Sequence, residues 1–210
     1  MRIVFFGDSI TDLSRNYQAH DGIAQSLGYG YVLFIARQLL SEDPLGYEII
    51  NRGISGNRIV DLYARIRRDV WNLAPDLLNI YIGTNDNNFD GNDNGVDLER
   101  WEKVYRAIIE ETRERFPNIK IIMCLPFVIH GQRSDEAYEK DYEVLAYVER
   151  GKKIAQEYGI PYVELQEKMA EAAKQYGDKV VAPDGIHPNV YGSNIIAEEW
   201  LKVFRSFVSK

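Results

Sequence analysis

The chain has 210 residues, 45% of them hydrophobic, which is enough for one sizeable core and one domain over residues 1–210. A net charge of −7 with no Lys/Arg run argues against a nucleic-acid face and against docking on an anionic membrane. With one cysteine there is no intrachain disulfide, and no apolar stretch is long enough for a bilayer span, so a cytoplasmic protein is expected.

Taken in order, the apolar run Arg2–Phe6 reads as a strand that stops at Gly7-Asp8-Ser9-Ile10-Thr11. Val32, Ile35, Ala36, Leu39 and Leu40 then recur at helical spacing, ahead of a second strand, Tyr47–Asn51. Arg65-Ile66-Arg67-Arg68 falls in an amphipathic helix, and Leu77–Ile82 is a third, almost wholly apolar strand. After a polar loop, Asn85–Asp97, come a helix around Val104–Ile109 and a fourth strand, Lys120–Leu125, in which Cys124 reads as a buried, inert thiol. Tyr162–Leu165 is the fifth strand, and Ile195, Trp200, Val203 and Phe207 mark a final helix. Strands alternating with helices define an α/β protein, a three-layer α/β/α sandwich around a parallel sheet. The polar loop lacks the spacing of an EF-hand, and no metal is expected.

Gly-Asp-Ser after a strand puts Ser9 at the carboxyl edge of the sheet, where ligands bind in such folds, although the same residues also make an ordinary turn. A serine nucleophile needs a base, and the base an orienting acid. In Asp184-Gly185-Ile186-His187-Pro188 the carboxylate can reach the imidazole Nδ1 and leave Nε2 for a serine; the plainer alternative is a carboxylate that only caps a helix entry. Asn51-Arg52-Gly53-Ile54-Ser55-Gly56-Asn57 and Gly83-Thr84-Asn85-Asp86 follow the second and third strands. The Gly53 amide and the Asn85 side chain, with the Ser9 amide, would make three donors for an oxyanion. Each also has a turn explanation.

Gly7-Asp8-Ser9-Ile10, Gly53, Gly83-Thr84-Asn85-Asp86 and Asp184-Gly185-Ile186-His187 together resemble the four blocks of the SGNH/GDSL hydrolases, in that family's order. Ile10 stands where the family name has leucine. The resemblance implies a flavodoxin-like, five-stranded parallel sheet, with Ser9 as nucleophile, His187 as base, Asp184 as its orienting acid, and Ser9, Gly53 and Asn85 as the oxyanion hole. Gly28-Tyr29-Gly30-Tyr31-Val32, Gly53-Ile54-Ser55-Gly56-Asn57 and Pro126-Phe127-Val128-Ile129 are similar to bacterial intracellular acetylxylan esterases of the family.

The expected reaction is therefore cofactor-free hydrolysis of an O-acetyl ester, with an acetylated sugar as the small-molecule partner. Asp8, Tyr29, Tyr31, Phe89 and His130 are the candidate substrate contacts. A lysophospholipase-like esterase or thioesterase on longer acyl chains is the alternative, and a non-catalytic flavodoxin-like binding module the alternative of another class. Aromatics in the terminal helices are compatible with a homo-oligomer. Because His187 must be neutral to act as base, activity should fall on acidification.

Overall fold

In the computed structural model, residues 1–87, 94–138 and 143–208 are described. The chain runs β1 (Arg2–Gly7), α1 (Ser9–Asp12), α2 (Ala24–Leu27), α3 (Tyr31–Glu42), β2 (Glu48–Gly53), α4 (Ile59–Asp69), β3 (Leu77–Tyr81) and α5 (Leu98–Arg115). It continues with β4 (Lys120–Cys124), α6 (Gln132–Tyr138), α7 (Val144–Glu157), β5 (Tyr162–Val163), α8 (Gln166–Tyr176), α9 (Asp178–Val181) and α10 (Val190–Val208). The five strands are parallel, in the order β2-β1-β3-β4-β5. Each expected strand is present within a residue or two, and β5, at one edge of the sheet, is the shortest.

Alternation along the strands divides the core. Ile3, Phe5 and Ile49 point toward α3, α8 and α10, while Val4, Phe6 and Ile50 point toward α4, α5 and α7. Both faces are therefore covered, which is why β3 and β4 read as continuous apolar runs. The polar exception is Asn79 in β3, fully buried. Its Oδ1 accepts from Trp200 Nε1 (2.8 Å) and Cys124 Sγ (3.2 Å), and its Nδ2 donates to the Tyr31 hydroxyl (3.3 Å), so every buried polar atom there has a partner.

The order of strands sets the location of chemistry. β1 is flanked by β2 and β3, so the turns after all three meet at one carboxyl edge of the sheet. Gly7 and Gly53 are opposite each other in register. At Gly7 a Cβ would lie 2.5 Å from the Tyr81 carbonyl, and at Gly53 it would lie 2.2 Å from the Asp12 amide. The absence of side chains there lets β1, β2 and α1 close on one another.

Candidate active site

α1 begins directly after β1, and its first residue is Ser9. The Asp8 side chain caps it by accepting from the Ile10 N–H (2.9 Å), which leaves the Ser9 N–H without a described partner. Asn51 holds the other end. Its Nδ2 donates to the carbonyls of Thr11 (2.7 Å) and Leu27 (2.8 Å), tying α1 and α2 to β2.

Ser9 Oγ lies 2.8 Å from His187 Nε2, and His187 Nδ1 lies 2.6 Å from Asp184 Oδ2. The other carboxylate oxygen of Asp184 accepts from the backbone N–H groups of Ile186 (3.0 Å) and His187 (2.8 Å). Burial opposes charge on Asp184, but the His187 ring bond, these two amides and the imidazole's charge outweigh it and hold the carboxyl at about 2. An ionised carboxylate only accepts, so Nδ1 carries the proton and Nε2 accepts from the serine hydroxyl. Such an arrangement can move a proton from Ser9 Oγ to Nε2.

The loop carrying the acid and base is clamped from the side. The N–H groups of Arg133 (3.2 Å) and Ser134 (3.1 Å), at the start of α6, donate to the Asp184 carbonyl, and Ile129 N–H donates to the Gly185 carbonyl (3.0 Å). Gly185 has φ +89°, and a Cβ there would meet Ser134 Oγ at 2.0 Å, so both its conformation and its packing call for glycine. His130, on this clamp, is exposed and pairs with Asp135 (3.1 Å). It lines a groove of about 770 Å³ with Ile129, Gln166 and Lys174, and none of the groove's lining residues belongs to the relay.

Other expected contacts land elsewhere. Tyr31 is fully buried, with its hydroxyl 3.0 Å from Thr11 Oγ1, so it has no face for a substrate. Asp8 is likewise fully buried and is a helix cap. Tyr29 is 76% exposed beside Leu13, whose carbonyl accepts its N–H (2.9 Å). Phe89 lies outside the described residues.

The Gly53 amide is also engaged: it donates to Asn51 Oδ1 (2.8 Å), so it is not the free donor that the motif suggests. Three residues on, Gly56 has φ +80°, open space around the position of a Cβ, and no described partner for its N–H. Next to it, the Asn57 carbonyl accepts from Asn85 Nδ2 (3.0 Å). An amide nitrogen carries two N–H donors, so Asn85 is anchored by one and keeps the other. The turn Gly53-Ile54-Ser55-Gly56-Asn57 holds two glycines, and the signal for the second was its place in the turn beyond the last strand residue.

Asp8 and Asp86 form a second electrostatic feature behind Ser9 and Asn85. Asp86 Oδ1 accepts from Ile59 N–H (2.8 Å), and the Oδ2 atoms of both residues are buried without a hydrogen bond. Burial pushes Asp8 up to about 7, against the Ile10 amide and the charges of His187 and Arg65. Burial, reinforced by Asp8, pushes Asp86 up to about 8. In the unfolded chain both carboxyls ionise near 3.8, so over the window from there to about 8 the folded state binds more protons and loses stability as pH rises. Asp86→Asn keeps an oxygen for the Ile59 amide. Its melting temperature relative to the wild type should be higher at about pH 8.5 than at about pH 5, as calorimetry at the two pH values would show. Equal slopes with pH in the two proteins would refute a neutral Asp86.

A carboxyl-edge serine with a histidine–aspartate relay, on a sheet of this order, defines the class of serine-type acyl hydrolases. The profile described as GDSL-like lipase/acylhydrolase matches residues 5–195, and the chain belongs to that family, as a carboxylic ester hydrolase. It is similar to an acetylxylan esterase from Geobacillus stearothermophilus, 34% identical over 96% of this chain and 92% of that one. The crystal structure of acetylxylan esterase from that organism superposes with a TM-score of 0.84 at 33% identity, covering 96% and 93% of the two chains. A GDSL-like lipase from Parabacteroides merdae superposes with a TM-score of 0.89 at 32% identity, covering 96% and 94%.

Proposed function

We propose that this chain removes O-acetyl groups from xylo-oligosaccharides or related acetylated sugars, with Ser9 as nucleophile, His187 as general base and acid, and Asp184 as its orienting carboxylate. The observation that carries the proposal is the continuous relay from Ser9 Oγ through His187 to an ionised Asp184. In the Geobacillus acetylxylan esterase, variants described as catalytic mutants replace a serine, an aspartate and a histidine, the last two three positions apart, as Asp184 and His187 are here.

Ser9 Oγ attacks the acetyl carbonyl carbon as its proton passes to His187 Nε2. The Ser9 amide, the free N–H of Asn85 and the Gly56 amide donate to the oxyanion, each worth about 2.7–4 kcal/mol of transition-state stabilisation. Collapse breaks the bond to the sugar oxygen, which leaves with the Nε2 proton. Water then repeats the sequence on the acetyl-serine and releases acetate, with no cofactor in any step. The acetyl group needs little room, and Tyr29, exposed and bonded to Leu13 at the end of α1, is the candidate lip for a sugar ring.

Among the described residues no helix is long and apolar enough to cross a membrane. A cytoplasmic setting belongs to the same reading, supported by a lone buried thiol, Cys124. The edge-to-face pair of Tyr176 and Tyr191, both exposed, leaves an aromatic surface compatible with self-association.

A substrate panel tests the acetyl assignment. Acetylated xylosides and p-nitrophenyl acetate should be turned over faster than p-nitrophenyl octanoate and lysophospholipids, with Ser9→Ala as blank. Faster turnover of octanoate would replace the acetyl reading with one for longer acyl chains.

A further inference from the structure

Two of the three chain segments that supply the oxyanion donors meet at one buried guanidinium, and the third is tied to it through Asn57. Arg65, on α4, has a side chain only 9% exposed and stacks 4.4 Å over the Phe6 ring. Its Nη2 donates to the Gly7 carbonyl (3.0 Å), its Nη1 to the Arg52 carbonyl (2.8 Å), and its Nε to Asn57 Oδ1 (2.7 Å). Gly7 leads into Asp8 and Ser9. Arg52 leads into the turn that contains Gly56. Asn57 is the residue whose own carbonyl holds the Asn85 side chain.

We propose that Arg65 is a positioning residue for acyl transfer, fixing the Ser9 amide, the Gly53–Asn57 turn and the Asn85 amide relative to one another. The inference rests on the reading of Ser9 and Asn85 as oxyanion donors. A planar fork with fixed N–H directions is the group that can serve acceptors on β1, on β2 and in the turn after β2 at once, and a lysine ammonium offers no such fixed geometry. Elsewhere α4 packs on the sheet with Ile59, Leu62 and Ile66, so simple helix-to-sheet packing does not call for a cation at this place. Donor placement matters at this scale because oxyanion donors act only when aimed at the position the oxygen takes in the transition state.

Removing Arg65 does not strand its counter-ion. Asp69 accepts from Arg65 Nη1 (2.8 Å) but also from Arg68 Nε (2.7 Å) and Nη2 (2.9 Å). A variant at Arg65 therefore leaves a paired carboxylate behind, and it can be examined as a folded protein.

The experiment measures kcat and KM on p-nitrophenyl acetate, together with melting temperature, for Arg65→Met, Arg65→Lys, Asn85→Ala and the Arg65→Met/Asn85→Ala pair. Asn85→Ala is expected to lower kcat by about 10²–10³-fold, and Arg65→Met by about 10–100-fold with KM within about threefold. Arg65→Lys should fall between Arg65→Met and wild type. In the double variant the loss should fall short of the product of the single losses, because one of the donors that Arg65 helps to aim is already gone. Should Arg65→Met fail to fold, the lysine variant, paired with Asn85→Ala in the same way, carries the test.

Losses that multiply in full, or a wild-type kcat in the Arg65 variants beside a crippled Asn85→Ala, would overturn the positioning role alone. A wild-type kcat in Asn85→Ala would instead remove the donor reading, and the role of Arg65 with it.

Discussion

Asp184→Asn is expected to lower kcat on an acetyl ester by about 10⁴-fold while the fold stays intact, the scale on which amidating such a carboxylate acts in serine hydrolases. The cause lies in which atom of the new amide faces the ring. In the wild type, Oδ1 accepts from the Ile186 and His187 amides, and Oδ2 faces His187 Nδ1 at 2.6 Å. Two backbone donors keep the oxygen of the asparagine in the Oδ1 place, so the NH₂ must point at Nδ1. That donor forces Nδ1 to become the acceptor and puts the ring proton on Nε2, where it faces Ser9 Oγ at 2.8 Å. A protonated Nε2 cannot take the serine proton.

The same geometry takes Asp184 out of the acid limb of the activity profile. Asp184 is held at about 2, so the carboxylate is ionised over the whole range in which the enzyme would be assayed. Its stabilising contribution is fully present above its ordinary 3.8 and is lost only as pH falls from there toward about 2. Loss of activity at higher pH than that belongs to a group other than Asp184. Rate profiles for wild type and Asp184→Asn check both points. A variant with near-wild-type kcat would show that Asp184 does not set the tautomer.

What was legible in the sequence was mostly local. The relay acid and base are three residues apart, and the strands announce themselves because a parallel sheet covered on both faces demands apolar runs. Ser9 was legible because a strand, a turn and a helix start are contiguous. Contacts between segments distant in sequence left no such trace. Tyr31 looked like a loop aromatic, yet its hydroxyl meets Asn79, a residue of β3, inside the core. Asp8 looked available to substrate, but it is fully buried and its side chain caps α1. The choice between Gly53 and Gly56 depended on Asn51 reaching two residues forward to take the Gly53 amide, which no spacing rule indicates. Arg65 read as one of several basic residues on an amphipathic helix. Its value comes from Gly7, Arg52 and Asn57, which meet only when β1, β2 and the following turn are side by side.

Ser9→Ala separates chemistry from architecture more sharply than any other single change. It should lower kcat by about 10⁴-fold or more, since no other group in the relay can form the acyl intermediate. Stability should change by no more than about 0.5 kcal/mol. The capping carboxylate belongs to Asp8, not Ser9, so the start of α1 is kept. The Ser9 backbone amide also remains, and His187, 29% exposed, can exchange its lost serine partner for water. An active-site-directed fluorophosphonate supplies an independent readout. In the wild type it should add one phosphonyl group to the peptide that contains Ser9, and in Ser9→Ala it should add none. Ester turnover that survives in Ser9→Ala, or a label on any other serine, would move the nucleophile elsewhere. Loss of both, with an unchanged melting temperature, leaves Ser9 Oγ as the atom that carries the acyl group.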